Sequence, residues 1–359
     1  MLGKLSPDLL HSGFLPHPIL FRNPLLQTTP KFKAYSKTAA NTGAAKGIAD
    51  VRENRSSSRK LVFGKHNEMM DSPGTRFRKA LEQERPLQIV GAIHPLCALL
   101  AEQAGFRAIY LSGAGVANAS HALPDLGITH LEDVLEDARR ITSACRLPLL
   151  VDIDTGWGTS ETIRRTIFEL ERIGVAAVHL EDQVAAKRCG HRPGKELVDT
   201  TEMVARVQAA VEARRNHDFV LMARTDAAAV EGLSAAITRA KAYVEAGADM
   251  IFAEALTSLE QYREFASEVP VPILANLTEF GKTPTLALAD LADAGVRMVL
   301  YPLTAFRAMN RAATNAYRAI RRDGNQASIL GDLQTREELY QLLNYYDAEK
   351  RIDWEKKRP

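Results

Sequence analysis

Val151-Asp152-Ile153-Asp154 and His179-Leu180-Glu181-Asp182 each close an apolar, β-prone run, and Lys187-Arg188-Cys189-Gly190-His191 follows directly. Carboxylates at the ends of hydrophobic strands suit a hard divalent cation, whose preferred ligands are oxygens. A thiol flanked by Lys187, Arg188 and His191 is placed to be ionised or to give up a proton. The two features together point to metal-assisted acid–base chemistry.

Asp152 and Asp154 lie two apart on one expected strand and so share a face, with Glu181 arriving from the next strand. Three carboxylates repel one another unless a cation sits among them, and an all-oxygen set favours Mg²⁺, with Mn²⁺ as a substitute, over zinc. A hydrogen-bonded carboxylate cluster without metal is the alternative. Asp125, in the loop Leu123-Pro124-Asp125-Leu126-Gly127, is a further candidate around the metal. Cys189 is the candidate catalytic thiol: Lys187, Arg188 and His191 are expected to lower its pKa, and Gly190 allows close approach of a ligand to the backbone. Arg224 and Arg307 are candidate clamps, because a guanidinium grips a carboxylate with two parallel hydrogen bonds. Asn276 and Thr278 offer neutral hydrogen bonds, and Glu254 could accept a hydroxyl proton or orient a clamp. Trp157 reads as a packing residue, and Cys97 and Cys145 as buried inert thiols.

The elements that position these residues form a repeating pattern. Apolar, strand-like runs occur at Gln88 to Ile93, Ala108 to Gly113, Pro148 to Asp154, Ala176 to Asp182, Phe219 to Thr225, Met250 to Ala255, Val271 to Leu277 and Met298 to Leu303. Continuous hydrophobicity marks strands buried on both faces, and helices between them make neighbours parallel. Leu131 to Ile141, Thr201 to Ala213, Gly232 to Ala246 and Leu259 to Val269 show the helical spacing. Gly105, Gly174, Gly247 and Gly295 stand where a helix C-cap precedes a strand. Eight such units predict an α/β fold, a (β/α)8 TIM barrel, in which catalytic residues lie at the carboxyl ends of the strands. An open doubly wound sheet is the other architecture, but no Gly-x-Gly-x-x-Gly element follows the first strand.

The chain has 359 residues and a formal net charge of +2, unevenly spread. Residues 1 to 68 hold eleven Lys/Arg against four Asp/Glu, leaving 35 and 40 for the rest. The main body is therefore acidic, which argues against a nucleic-acid partner. No run approaches the roughly 18 apolar residues of a membrane span, and three cysteines match no zinc or disulfide framework. Residues 1–72 read as a poorly ordered basic extension and 73–359 as the barrel domain with a C-terminal helical segment. The extension resembles an organellar transit peptide in charge, though Pro16, Pro18, Pro24 and Pro30 spoil an amphipathic helix. An overlong gene start, with Met69 or Met70 the initiator, explains it equally well. The cytoplasm is the expected compartment, the mitochondrial matrix the alternative.

At these residues the chain resembles the isocitrate lyase and phosphoenolpyruvate mutase superfamily, in particular its methylisocitrate branch, from about Gly74 to Asp353. Lys187-Arg188-Cys189-Gly190-His191 is similar to the superfamily's lyase signature, and Ala223-Arg224-Thr225-Asp226-Ala227 to its fifth-strand motif. Ile273-Leu274-Ala275-Asn276-Leu277-Thr278-Glu279-Phe280-Gly281 is close to the motif of the methylisocitrate branch. Tyr301-Pro302-Leu303, Ala305 to Asn310, Gln334-Thr335-Arg336 and Asn344-Tyr345-Tyr346 extend the likeness. The resemblance implies Mg²⁺-dependent cleavage of a small hydroxy tricarboxylate, 2-methylisocitrate, to pyruvate and succinate. It further implies that Asp152 and Asp154 hold the metal with Asp125 and Glu181 in support, that Cys189 donates a proton with Lys187 and His191 beside it, and that Tyr110 assists hydroxyl deprotonation. Substrate-binding positions carry over to Ser112, Gly113, Ala114, Cys189, Gly190, Arg224, Glu254, Asn276, Leu277, Thr278, Arg307 and Arg336. A homotetramer with C-terminal helices exchanged between neighbours is implied too. Two departures, Ala114 for a glycine and Ala253 in Phe252-Ala253-Glu254 for a proline, bear on substrate identity: isocitrate, 2,3-dimethylmalate or another 2-hydroxy diacid is the alternative, and a phosphonate mutase or hydrolase a more distant one.

Overall fold

The computed structural model describes residues 71–356. The basic extension, with its targeting and gene-start readings, lies outside the described residues as far as residue 70. The described chain begins α1 (Pro73–Gln83), β1 (Leu87–Gly91), α2 (Pro95–Gln103), β2 (Ala108–Leu111), α3 (Gly113–Gly115), α4 (Leu131–Ala144), β3 (Leu149–Asp152) and α5 (Ser160–Arg172). It continues β4 (Ala177–Glu181), α6 (Thr200–Ala213), β5 (Val220–Thr225), α7 (Leu233–Glu245), β6 (Met250–Ala253), α8 (Leu259–Glu268), β7 (Ile273–Asn276), α9 (Leu288–Asp293) and β8 (Met298–Tyr301). Then come α10 (Thr304–Asp323), α11 (Arg336–Leu342) and α12 (Tyr345–Lys356).

All eight strands are parallel and pair in chain order, and β1 closes the ring on β8 with Leu87 opposite Met298. This is the expected (β/α)8 barrel, and the closure excludes the open sheet. Alternation along each strand sorts side chains into two cores. Ile109 and Leu111 of β2 face outward into the layer shared with the helices, together with Val134, Ala138 and Ile141 of α4. Ala108 and Tyr110 of the same strand face the barrel axis, with Leu150, Ala177, Val220, Met222, Met250, Phe252, Leu274 and Met298. Phe77, Ala80 and Leu81 of α1 join this inner layer and close the amino-terminal mouth. Gly74 makes that approach possible, since a Cβ there would lie 2.2 Å from the Asp218 carbonyl oxygen.

Helix ends follow local chemistry. His130 and Asp133 cap α4 reciprocally, and its buried Leu131, Val134, Ala138 and Ile141 repeat at helical spacing. Gly105, Gly174, Gly247 and Gly295 all have positive φ (91°, 86°, 107° and 86°), the left-handed turn that ends a helix before a strand.

One expectation is corrected. Strands stop earlier than the apolar runs: β3 ends at Asp152 and β6 at Ala253, because Asp154 (φ 46°) and Ala255 (φ 59°) turn the chain. The expected C-terminal helical segment comprises α10, α11 and α12, the last two parted by a turn at Asn344 (φ 51°). Among the described residues, no helix is long and apolar enough to cross a membrane.

Candidate active site

The inward register that builds the inner core carries straight on into the site. Tyr110 follows Ala108, Asp152 follows Leu150, His179 and Glu181 follow Ala177, Arg224 follows Met222, Glu254 follows Phe252 and Asn276 follows Leu274, each two places on. Alternation therefore delivers all of them to the axis at the carboxyl end of the barrel. There they meet in a cleft of about 190 Å³ lined by Tyr110, Ser112, Ala114, Asp125, Asp152, Lys187, Cys189, Gly190, His191, Arg224, Glu254, Asn276, Thr278 and Arg307, among others.

Asp152 is bound from several sides. The Gly113 amide donates to its Oδ2 at 3.1 Å, the Tyr110 hydroxyl at 3.3 Å, and the Asp154 amide donates to its Oδ1 at 3.0 Å. Burial pushes its carboxyl up, but His179, Lys187 and Arg224 outweigh that and hold it at about 2. Asp154 behaves in the opposite way: burial raises it to about 6, against the pull of Lys187. The two were expected to share a face as strand neighbours. They do converge, but through the turn at Asp154: a Cβ on Gly113 would touch both Asp152 Oδ2 and Asp154 Oδ1 at 3.1 Å.

Lys187 corrects a second expectation. Its ammonium is turned away from the thiol and lies 2.5 Å from Asp125 and 2.6 Å from Asp154. Desolvation opposes its charge, yet Asp154, Asp125, Glu181 and Asp152 together raise its pKa well above the usual lysine value. Glu181 in turn faces Arg224 at 3.2 Å. Burial still pushes Glu181 well up against that guanidinium. The protein itself thus supplies two cations to the acidic cluster, so charge repulsion alone does not demand a metal.

Cys189 stands exposed at the mouth of the cleft. The sequence neighbourhood predicts a lowered thiol pKa, and the structure gives the reverse. Partial desolvation raises it, reinforced by Asp125 and Glu254, and this outweighs the His191 amide and Arg224. The reason is that the basic neighbours are engaged elsewhere: Lys187 with the acids, and His191 with Glu254. The Lys282 amide donates to His191 Nδ1 at 2.9 Å, and His191 Nε2 lies 2.7 Å from Glu254 Oε1. Cys189 is accordingly a neutral thiol. Cys97 and Cys145 are buried, as expected.

Arg224 is buried and pinned by Asp226 (Nε to Oδ2, 2.9 Å), Glu181 and Glu254, which raise its pKa well above the usual value in spite of desolvation. Glu254 is held at about 2: burial pushes it up, and Arg224 with the His191 hydrogen bond pulls it further down. Arg307 lines the cleft from α10 but is half exposed and faces Glu279 at 3.3 Å. Ala114 lies in the short helix α3, outside the positive-φ region, so the extra methyl strains nothing. Trp157 packs as expected, its indole N–H donating to the Thr129 carbonyl at 3.0 Å.

Five expected positions, Gly113, Asp154, Glu181, Leu277 and Arg336, are not among the residues that line the cleft. The Leu277 side chain packs in the outer core. The Gly113 amide is already committed to Asp152. Arg336 stands exposed at the start of α11, away from the cleft residues of its own chain. His179 was missed: fully buried, its Nε2 is 3.0 Å from the Tyr110 hydroxyl, and burial lowers its pKa to about 4 despite Asp152. Its signal was available, a polar residue two places before Glu181 on an inward register.

The donors fit a magnesium ion. Asp152 and Asp154 present hard oxygens toward one spot, and Glu181 Oε1 is buried without a hydrogen-bond partner. No preassembled group of three metal-binding His, Cys, Asp or Glu occurs among the described residues. Mg²⁺ is commonly held by one or two carboxylates plus waters and substrate oxygens, a demand the Asp152 and Asp154 oxygens can meet.

Acidic and cationic groups crowded at the carboxyl rim of a parallel barrel, with a neutral thiol at the mouth, mark the place where barrel enzymes take small molecules. A family model described as phosphoenolpyruvate phosphomutase matches residues 77–321. The 2-methylisocitrate lyase of Shewanella oneidensis is 61% identical over 285 residues, 79% of this chain and 98% of that protein. The solved structure of 2,3-dimethylmalate lyase superposes with a TM-score of 0.74 at 36% identity, covering 80% of this chain and 96% of that one. Phosphonopyruvate hydrolase, solved in complex with oxalate and Mg²⁺, gives a TM-score of 0.69 at 33% identity over 79% of this chain and 98% of that one. The chain belongs to the phosphoenolpyruvate phosphomutase family, and its sequence groups with that family's 2-methylisocitrate lyases.

Proposed function

We propose that this enzyme is a carbon–carbon lyase that cleaves 2-methylisocitrate to pyruvate and succinate, the last step of the methylcitrate route of propionate catabolism. The observation that carries the reading is the juxtaposition, in one cleft, of a neutral thiol at Cys189 with the Tyr110 hydroxyl bridging Asp152 and His179.

Asp152 and Asp154 would hold Mg²⁺, with Asp125 and Glu181 around it. When bound, that ion polarises the hydroxyl and carboxylate oxygens of the pyruvate half. Arg224 grips a substrate carboxylate with its guanidinium fork, assisted by Asn276 and Thr278 and, from the rim, Arg307. Burial and Asp152 keep Tyr110 a phenol, its pKa well above the usual value. It therefore takes the 2-hydroxyl proton only as its own O–H, turned from Asp152 Oδ2 onto an unprotonated Nε2 of the neutral His179, passes to that nitrogen. The C2–C3 bond electrons then collect on the succinate half, where Cys189 gives its proton to carbon. Substrate binding near Arg224 sets the geometry for both transfers.

The exposed apolar residues Tyr317, Ile320, Leu343, Ile352 and Trp354 on α10 to α12 support a homotetramer in which α11 and α12 cross to a neighbour and bring Arg336 to its cleft. The cytoplasm is the proposed compartment.

The departures at Ala114 and Ala253, together with the fold shared with 2,3-dimethylmalate lyase, favour 2,3-dimethylmalate as the second substrate reading. Steady-state kcat/KM for 2-methylisocitrate, isocitrate and 2,3-dimethylmalate, with and without Mg²⁺, tests the assignment. The expected result is Mg²⁺-dependent preference for 2-methylisocitrate; a higher kcat/KM for either of the others overturns it.

A further inference from the structure

The segment carrying Cys189 is a loop with a closed neck. The Val184 amide donates to the Glu196 carbonyl at 3.0 Å, the Val198 amide to Asp182 at 2.9 Å, and Gln183 bridges antiparallel to Leu197. Just inside the neck, the buried Gln183 side chain brackets Arg188: its Nε2 donates to the Arg188 carbonyl and its Oε1 accepts from the Arg188 amide, both at 2.9 Å. On the far side, where Lys187 and His191 anchor the loop through their side chains, one further side chain reaches its backbone. Lys195 is buried, 7% exposed, and donates to the Gly190 carbonyl at 2.6 Å and to Asp226 Oδ1 at 2.7 Å. Asp226 is the carboxylate that also holds Arg224, and its own amide is tied to Asp182 Oδ1 at 2.9 Å. Gly190 rests flush on that assembly, since a Cβ there would come within 2.4 Å of Arg224 Nη2 and 2.6 Å of Glu254 Cγ.

We propose that Lys195 is a positioning residue that ties the Gly190 carbonyl to Asp226, so that the Cys189–Gly190 peptide and the Arg224 fork rest on one support. Neutralising Asp226 does not call for a second cation, because Arg224 already contacts both of its oxygens. What Lys195 adds is a donor aimed at the loop. A buried ammonium is costly unless its hydrogen bonds are made, and here one of them reaches the backbone beside the reactive thiol. Breaking that bond alone loosens the Gly190 backbone while the neck, the Gln183 bracket and the side-chain contacts of Lys187 and His191 stay in place.

The inference rests on the reading that Cys189 and Arg224 serve one substrate, and its test separates the two. In the full-length protein, Lys195→Met keeps the side chain's length and removes the donor. Alkylation of Cys189 by iodoacetamide, followed on its peptide by mass spectrometry in the absence of substrate, should accelerate by about tenfold or more, the equivalent of one charge-assisted hydrogen bond. KM for 2-methylisocitrate should rise more than kcat falls, and Lys195→Arg, which can reach both oxygens, should recover most of both. Alkylation and KM within about twofold of the parent, in a folded variant, overturn the proposal. Lys195→Gln carries the same two readouts if methionine is not accepted in the fold. Failure of the parent enzyme to turn over 2-methylisocitrate refutes the proposed function and leaves the alkylation arm standing.

Discussion

Lys187 holds Asp154 in an ion pair of 2.6 Å inside the barrel mouth, and the same ammonium lies 2.5 Å from Asp125. The pair explains how an acidic cluster is tolerated beside the inner core: buried charges persist when they are paired. Burial nevertheless leaves Asp154 at about 6, against the pull of Lys187, while His179, Lys187 and Arg224 hold Asp152 at about 2.

That separation predicts how metal binding depends on pH. A carboxylate must be deprotonated to ligate, and Asp154, raised to about 6, keeps its proton below that pH while Asp152 has long since lost its own. Mg²⁺ affinity should therefore be flat above pH 7 and weaken by up to about tenfold per unit below pH 6, with a proton released on binding. Calorimetry of Mg²⁺ binding at pH 5 and pH 7.5, in buffers of different ionisation enthalpy, reads both quantities. An affinity independent of pH across that range would remove Asp154 from the site.

Cys189→Ser should cut turnover by about 10²–10⁴-fold, the usual contribution of a positioned general acid, because a serine hydroxyl is a far weaker acid than a thiol. The thermal midpoint and Mg²⁺ binding should hardly move, since the residue is exposed and its side chain supports no core. Single-turnover kinetics in deuterated buffer give the rate of carbon protonation directly. Parent-like turnover in the serine variant rules Cys189 out as the donor.

The barrel was legible because each strand is buried on both faces, which leaves an unbroken apolar run, and because glycine caps punctuate the helices at Gly105, Gly174, Gly247 and Gly295. Strand ends were less so: Asp154 and Ala255 follow directly on apolar runs while their backbones turn, and hydrophobicity does not report φ. The identity of the acidic residues could be read from residue type, but not their partners. Lys187 sits two residues from Cys189 in the chain and yet reaches across to Asp125 and Asp154, which reverses the expected effect on the thiol. The link from Lys195 to Asp226 joins positions 31 residues apart through side chains alone, so no local pattern announces it.

Arg224→Lys keeps one positive charge among Asp226, Glu181 and Glu254 but cannot form the planar fork. Losing a charged hydrogen bond to a substrate carboxylate is worth about 1.5–3 kcal/mol. We expect kcat/KM to fall by about 10- to 100-fold, chiefly through KM, in steady-state assays. An unchanged KM removes Arg224 from substrate binding.

Phe77→Ala tests the closure of the barrel's amino-terminal mouth. Phe77 is fully buried in the inner core from outside the strand ring, and truncating a buried phenylalanine costs about 3–5 kcal/mol. Urea unfolding should show that loss, while kcat of the folded fraction stays close to the parent, since the site lies at the other end. A loss below about 1 kcal/mol would mean that α1 does not close the core.

The arm exchange makes a prediction that a single chain cannot satisfy. Arg336 is exposed on α11 and absent from the lining of its own cleft, whereas Cys189 lines it. If α11 crosses to a neighbour, each cleft combines Cys189 from one chain with Arg336 from another. Arg336→Ala and Cys189→Ser homo-oligomers should then both be impaired. Reassembled mixtures should contain clefts that pair an intact Cys189 with an intact Arg336, and should regain activity beyond the sum of the two. Light scattering should find a tetramer for the full chain and smaller species once residues 325–359 are deleted, because the apolar faces at Tyr345, Ile352 and Trp354 go with them. Mixing without any gain, by enzymes that exchange subunits freely, places Arg336 outside every cleft.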